Sequence, residues 1–183
     1  MKKHSLLIGL VFFYVTFGFS QPRDPHQIFG FFKNIHGTYK GTFKFKIDSV
    51  WTTVENVKVV FSATTGGRYE TFAMYATFMG KETQLYNVIE YKSDADQIII
   101  HKFEPDEDGY HSEVCKPYGL NELKDKTEGS FYFLTSRMIL KRPGIKKNTI
   151  TYKNNQLTLT DEVMFYGDTK PEMVVILTAT KEQ

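Results

Sequence analysis

Between Thr38 and Asp48 the side chains alternate without a break: Tyr39, Gly41, Phe43, Phe45 and Ile47 fall on one parity, Thr38, Lys40, Thr42, Lys44, Lys46 and Asp48 on the other. A period of two is the repeat of an extended strand, so this stretch reads as a strand with one aromatic and one cationic face. Similar runs follow at about 55–63, 68–78, 84–91, 97–103, 110–115, 130–140, 149–153, 156–166 and 172–180. Turn chemistry separates them, as at Thr65-Gly66-Gly67, Met79-Gly80-Lys81, Pro143-Gly144 and Asn154-Asn155. Links this short require antiparallel neighbours, because a parallel pair needs a crossover of a dozen or more residues. A meander of this length gains by closing on itself, which removes its unpaired edges. The expected fold is all-β, an antiparallel up-and-down meander of about eight to ten strands closed into a barrel. A two-layer sandwich of the same strands is the rival arrangement.

Ahead of the strands, Asp24 is placed to cap and Pro25 to open a short helix. Ile28, Phe31, Phe32 and Ile35 recur at helical spacing, predicting an amphipathic helix over about 25–34 that ends near Gly37. The stretch 117–129 is the longest connection and carries Leu120 and Leu123 in a charged context, consistent with a helical turn.

The first twenty residues have another character. Lys2, Lys3 and His4 precede an uncharged run from Leu6 to Phe19, and Gly18 and Ser20 put small residues before Gln21. This is the pattern of a secretory signal peptide cut before Gln21, so the domains expected are a leader, 1–20, and a single barrel domain, 21–183. The apolar run falls short of the ~20 residues a membrane-crossing helix needs, and no transmembrane segment is expected once the leader is removed. Of the 23 Lys and Arg, two belong to the leader, leaving 21 against 21 Asp and Glu. A neutral mature chain carries no electrostatic footprint for nucleic acid. Cys115 is the only cysteine, so no intramolecular disulfide forms and packing must supply stability. The expected location is periplasmic or secreted, with the oligomeric state left open.

At Phe32-Lys33-Asn34-Ile35-His36-Gly37-Thr38-Tyr39 a short helix runs into Gly-Thr-aromatic at the start of the first long strand. This resembles the calycin group of barrels, the lipocalins and fatty-acid-binding proteins, in which a Gly-x-aromatic opens strand one. Tyr39 stands where that group usually has Trp, and the layout of helix and meander covers the whole mature chain. The resemblance implies a barrel able to hold a small apolar ligand and transfers no ligand residue.

Pockets of such barrels are mostly apolar with a few convergent polar groups. Polar residues on an otherwise apolar strand parity are therefore the binding candidates. Glu70 shares a parity with Phe72, Met74 and Phe78; Asn87 with Leu85 and Ile89; His101 with Ile99 and Phe103; Arg137 with Phe131, Phe133 and Ile139. A guanidinium in an aromatic cavity suits a carboxylate through two parallel hydrogen bonds, making Arg137 the expected anchor, with Tyr39, Tyr75 or His101 beside it. The Arg137 strand also carries Tyr132, Leu134 and Met138 on its other parity, so parity alone leaves its direction open. His111, Glu113 and Cys115 share one face, yet alternate residues sit ~6.6 Å apart along a strand and converge poorly on a tetrahedral ion, so no metal site is assigned.

No hydrolase, metalloprotease, phosphate-loop or dinucleotide motif occurs, and neither catalytic residues nor a cofactor are assigned. The sequence supports a non-catalytic carrier of a small hydrophobic or amphipathic molecule. Two alternatives stay open: a solid-core structural or partner-binding domain, and a tetrapyrrole-handling or lyase-type enzyme on the same barrel with His101 or His111 in its chemistry.

Overall fold

The computed structural model describes residues 30–182 apart from residues 48, 65–68, 93, 94, 96, 105–108 and 124. The leader and most of the expected helix, up to residue 29, lie outside the described residues.

Ten antiparallel strands form a closed barrel in simple sequence order: β1 (Gly37–Ile47), β2 (Val50–Ala63), β3 (Tyr69–Phe78), β4 (Lys81–Lys92), β5 (Gln97–Glu104), β6 (Gly109–Tyr118), β7 (Gly129–Ile139), β8 (Arg142–Lys153), β9 (Gln156–Phe165) and β10 (Met173–Lys181). Closure comes from β1 against β10, where Tyr39 pairs with Lys181 and Lys46 with Val174. The sandwich arrangement is thereby excluded. Among the described residues no helix is long and apolar enough to cross a membrane.

One end of the barrel is plugged. Helix α1 (Phe32–Ile35) and the preceding Phe31 bury their rings and the Ile35 side chain against Phe61 and Phe131; Phe31 and Phe131 meet edge to face at 5.8 Å. The Tyr39 hydroxyl donates to the Ile35 carbonyl at 2.7 Å, and Lys181 Nζ donates to the Asn34 carbonyl at 3.3 Å. These are carbonyls that a helix end leaves without partners, so the neighbouring strands β1 and β10 cap the plug. Burial, and then Tyr152, push the Tyr39 hydroxyl well above its ordinary 10.0, and Tyr39 stays a neutral donor. A 3₁₀ turn (Asn121–Leu123) packs Leu120 and Leu123 under the same end.

Two details depart from the simple alternation. Between the β1 pairs at Gly41 and Phe43, β2 advances from Val57 to Val54, a bulge that places Asn56 at φ 57° and keeps Val54 and Val57 both buried. This bulge broke the periodicity, which is why the strand looked as if it began near residue 55. Pro143-Gly144 lies within β8, pairing with Met138 and Arg137, rather than in the turn. The turn is instead Leu140-Lys141, with φ of 49° and 64°. Both residues adopt the positive-φ geometry that two-residue hairpins favour, although neither is the Gly or Asn usually found there.

Candidate functional site

Inward residues of nine of the ten strands, all but β6, converge above the plug on a partly enclosed cavity of about 280 Å³. Its wall is mainly apolar, with Phe43, Phe61, Phe72, Met74, Leu85 and Leu159 prominent, and the cavity lies beyond the plug because the α1 rings fill only one end. The opposite side is polar: Lys102 from β5, Lys146 and Asn148 from β8, Asp161 from β9 and Asn87 from β4.

Behind the two lysines sits Glu113, only 2% exposed. Its partners are held by charge rather than by well-angled hydrogen bonds: Lys102 Nζ at 3.0 Å and Arg137 Nη1 at 2.5 Å from Oε1, Lys146 Nζ at 3.8 Å from Oε2. Lys146 also reaches Asp161 Oδ2 at 3.3 Å, and the Asn148 side chain donates to the other Asp161 oxygen. Three cations thus share two carboxylates where water is scarce. Burial is the largest influence on Glu113 and pushes its carboxyl up, but Lys146, Lys102 and Arg137 together outweigh it and hold the group below its ordinary 4.5. Lys102 is pulled below its usual range by burial and by Lys146 beside it. Lys146 is held above its own, because Asp161 and Glu113 overcome the cost of burial. Two acceptors facing this region, Asn87 Oδ1 and Asn148 Oδ1, are buried without a hydrogen-bond partner. Unpartnered buried carbonyls carry a cost of ~1–3 kcal/mol each, which a ligand donor would relieve.

The residues singled out from sequence fall into four places. Asn87 lines the cavity. Arg137 lies on the inward parity of β7 with Phe131 and Phe133, but towards the unplugged end, reaching Glu113 from a half-exposed position. Glu70 is inward and fully buried at the plugged end, accepting from or donating to His36 Nε2 at 2.6 Å beside α1. Tyr39 is spent on the plug, as described. Tyr75 and His101 point outward: Tyr75 is exposed on β3, and His101 contacts Glu90 at 3.0 Å and Tyr110 at 2.8 Å outside the wall. Parity had grouped His101 with Ile99 and Phe103, whereas the inward set of β5 is Ile98, Ile100 and Lys102. Both faces of this strand are apolar because Phe103 joins Tyr86 and Tyr110 in an aromatic row on the outer surface, so alternation could not decide.

Lys102, Lys146, Asn148 and Asp161 were not recognised from sequence. Lys146 falls in the connection between the expected strands 130–140 and 149–153, because the sequence places the turn at Pro143-Gly144, later than Leu140-Lys141. Asp161 and Asn148 are directly opposite each other in the β8–β9 register, a relation visible only once pairing is known. Glu113 and Cys115 share the inward face with His111, but Glu113 is engaged by cations and the Cys115 thiol lies 2.9 Å from Thr135 Oγ1. Among the described residues no three His, Cys, Asp or Glu side chains gather as a metal site. No family model matches the chain, and a search of the curated proteins finds no match to it.

Proposed function

We propose that this protein is an exported, non-catalytic, lipocalin-like carrier that holds a small amphipathic molecule with an anionic head group inside its barrel. The observation that carries the reading is the two-sided cavity: an aromatic and aliphatic wall faces Lys102 and Lys146, members of a cluster with one more cation than carboxylates. An anion completes that charge balance. At ~0.8 kcal/mol per buried methylene, a seven-carbon tail contributes roughly 5–6 kcal/mol. Association itself costs ~4 kcal/mol or more, so the tail alone binds weakly and the head group decides affinity.

The cavity lies at the lower edge of the ~300–1,000 Å³ typical of ligand pockets, which favours a short-chain ligand or one of two or three rings over a tetrapyrrole. Among the described residues no histidine lines it, so nothing in the geometry favours the tetrapyrrole or lyase reading. An open interior likewise speaks against a barrel filled solid by its own side chains. The calycin-like assignment rests on the closed meander and on Gly37-Thr38-Tyr39; the export assignment rests on the leader pattern alone. N-terminal sequencing of the protein recovered outside the cytoplasm should begin at Gln21; a chain there beginning at Met1 contradicts cleavage of the leader, and recovery only from the cytoplasm contradicts export.

Thermal melting tests the binding reading, because a ligand that binds only the folded state must raise the transition. Octanoate should raise it in proportion to the logarithm of concentration, while heptylamine, equal in tail and opposite in charge, should not. Equal shifts for both, or none for either, contradict an anion-selective interior.

A further inference from the structure

The barrel wall is not stitched evenly. β6 and β7 pair only over Lys116–Tyr118 and Tyr132–Leu134, next to the plug. Their other edges are paired for most of their length, Ile98–Glu104 with β6 and β7 with Arg142–Tyr152 of β8. Extending the β6–β7 register towards the unplugged end sets Cys115 opposite Thr135 and Glu113 opposite Arg137. There side chains take over from the backbone ladder: Cys115 Sγ lies 2.9 Å from Thr135 Oγ1, and Glu113 Oε1 lies 2.5 Å from Arg137 Nη1. Arg137 is 38% exposed and Glu113 2%, so this pair marks the step from solvent to interior, and Lys102 and Lys146 carry the same cluster on to the cavity wall.

We propose that this seam between β6 and β7 is the passage by which ligand reaches the cavity, and that the Glu113–Arg137 pair is a latch opened by anionic head groups. The proposal rests on the interior binding described above. Every other seam is held by six or more paired positions, against three here, and beyond those three the Cys115–Thr135 and Glu113–Arg137 side-chain contacts join β6 to β7. An anion arriving at Arg137 competes with Glu113 for the guanidinium, then meets Lys102 and Lys146 as it moves inward. A cationic head group meets a cluster of three cations against two carboxylates along the same path, a net repulsion. The seam therefore selects the same class of ligand as the cavity, at the step of passage as well as in the bound state.

Cys115 supplies the test. In Thr135→Cys two thiols replace a pair already 2.9 Å apart, and oxidation to a bond of ~2.0 Å locks the seam. Stopped-flow mixing with anilinonaphthalene sulfonate, an anionic fluorescent probe, reads uptake and release. The oxidised variant should take up and release the probe ~10-fold or more slowly than the same variant reduced, with a dissociation constant within about twofold, since a barrier changes both rates together. Glu113→Gln gives a readout independent of disulfide formation: with the latch charge removed, uptake should be faster than in the wild type. Probe binding whose rates ignore both the lock and Glu113→Gln overturns the passage and leaves interior binding standing. Absence of probe binding to the wild type overturns the interior reading instead.

Discussion

Glu113 is the residue on which the interior electrostatics turn. Removing one member of a buried ion pair costs ~3–5 kcal/mol because it strands the partner charges, so Glu113→Ala should lower the stability measured by urea unfolding by about that much. Arg137, half-exposed, should cost less when truncated. The pH dependence has a definite sign. Glu113 is an acid whose folded value is depressed, so its contribution is present above its ordinary 4.5 and is lost as pH falls through the folded value. Glu70 has the opposite sign: burial, the largest cause, raises its carboxyl, and His36 and Lys33 offset only part of this. As an acid raised in the folded state it subtracts stability above its folded value and returns it as pH falls. Glu70→Gln, which keeps a polar partner for His36, should therefore stabilise the protein at pH 7 and leave it unchanged or weaker below pH 4. Unfolding midpoints at the two pH values check this, and a loss at pH 7 contradicts it.

At the scale of single elements, the turns and bulges decide where side chains point. Leu140 and Lys141 occupy positive φ at a cost of ~1–2 kcal/mol per residue for ordinary side chains. Replacing them by Asn and Gly should raise the midpoint of thermal unfolding without altering the barrel, whereas a fall would mean that their side chains contribute more than the strain removes. Gly41 shows the reverse constraint. A Cβ there would run into the Thr178 carbonyl and the backbone of Ala179, at the strand pair that closes the barrel. Gly41→Val should destabilise by ~3 kcal/mol or more, read as loss of the cooperative transition at physiological temperature. Strand count and order were legible because alternation and turn residues recur along the chain. The face of β5 was not, since an outer aromatic row at Tyr86, Phe103 and Tyr110 mimics a core face; that of β7 stayed open because Tyr132, Leu134 and Met138 occupy its other parity, and the starts of β2 and β8 were hidden by a bulge and by a turn lacking its usual residues.

For the molecule as a whole, the closed meander follows from local patterns, but the site does not. Lys102, Glu113, Arg137, Lys146 and Asp161 come from five consecutive strands, β5 to β9, and meet only because the sheet curls. On its own strand each reads as an ordinary polar residue, and Arg137 and Asn87 were visible early because their parity partners were unmistakably apolar. The account stands on the interior being a binding site. Titration of the wild-type protein with anilinonaphthalene sulfonate, beside Met74→Trp, whose indole takes up part of the cavity, tests this most directly. One saturable site per chain is expected in the wild type, and a weaker one in a variant that unfolds at the same temperature or higher. Equal binding to both proteins, or none to the wild type, contradicts it.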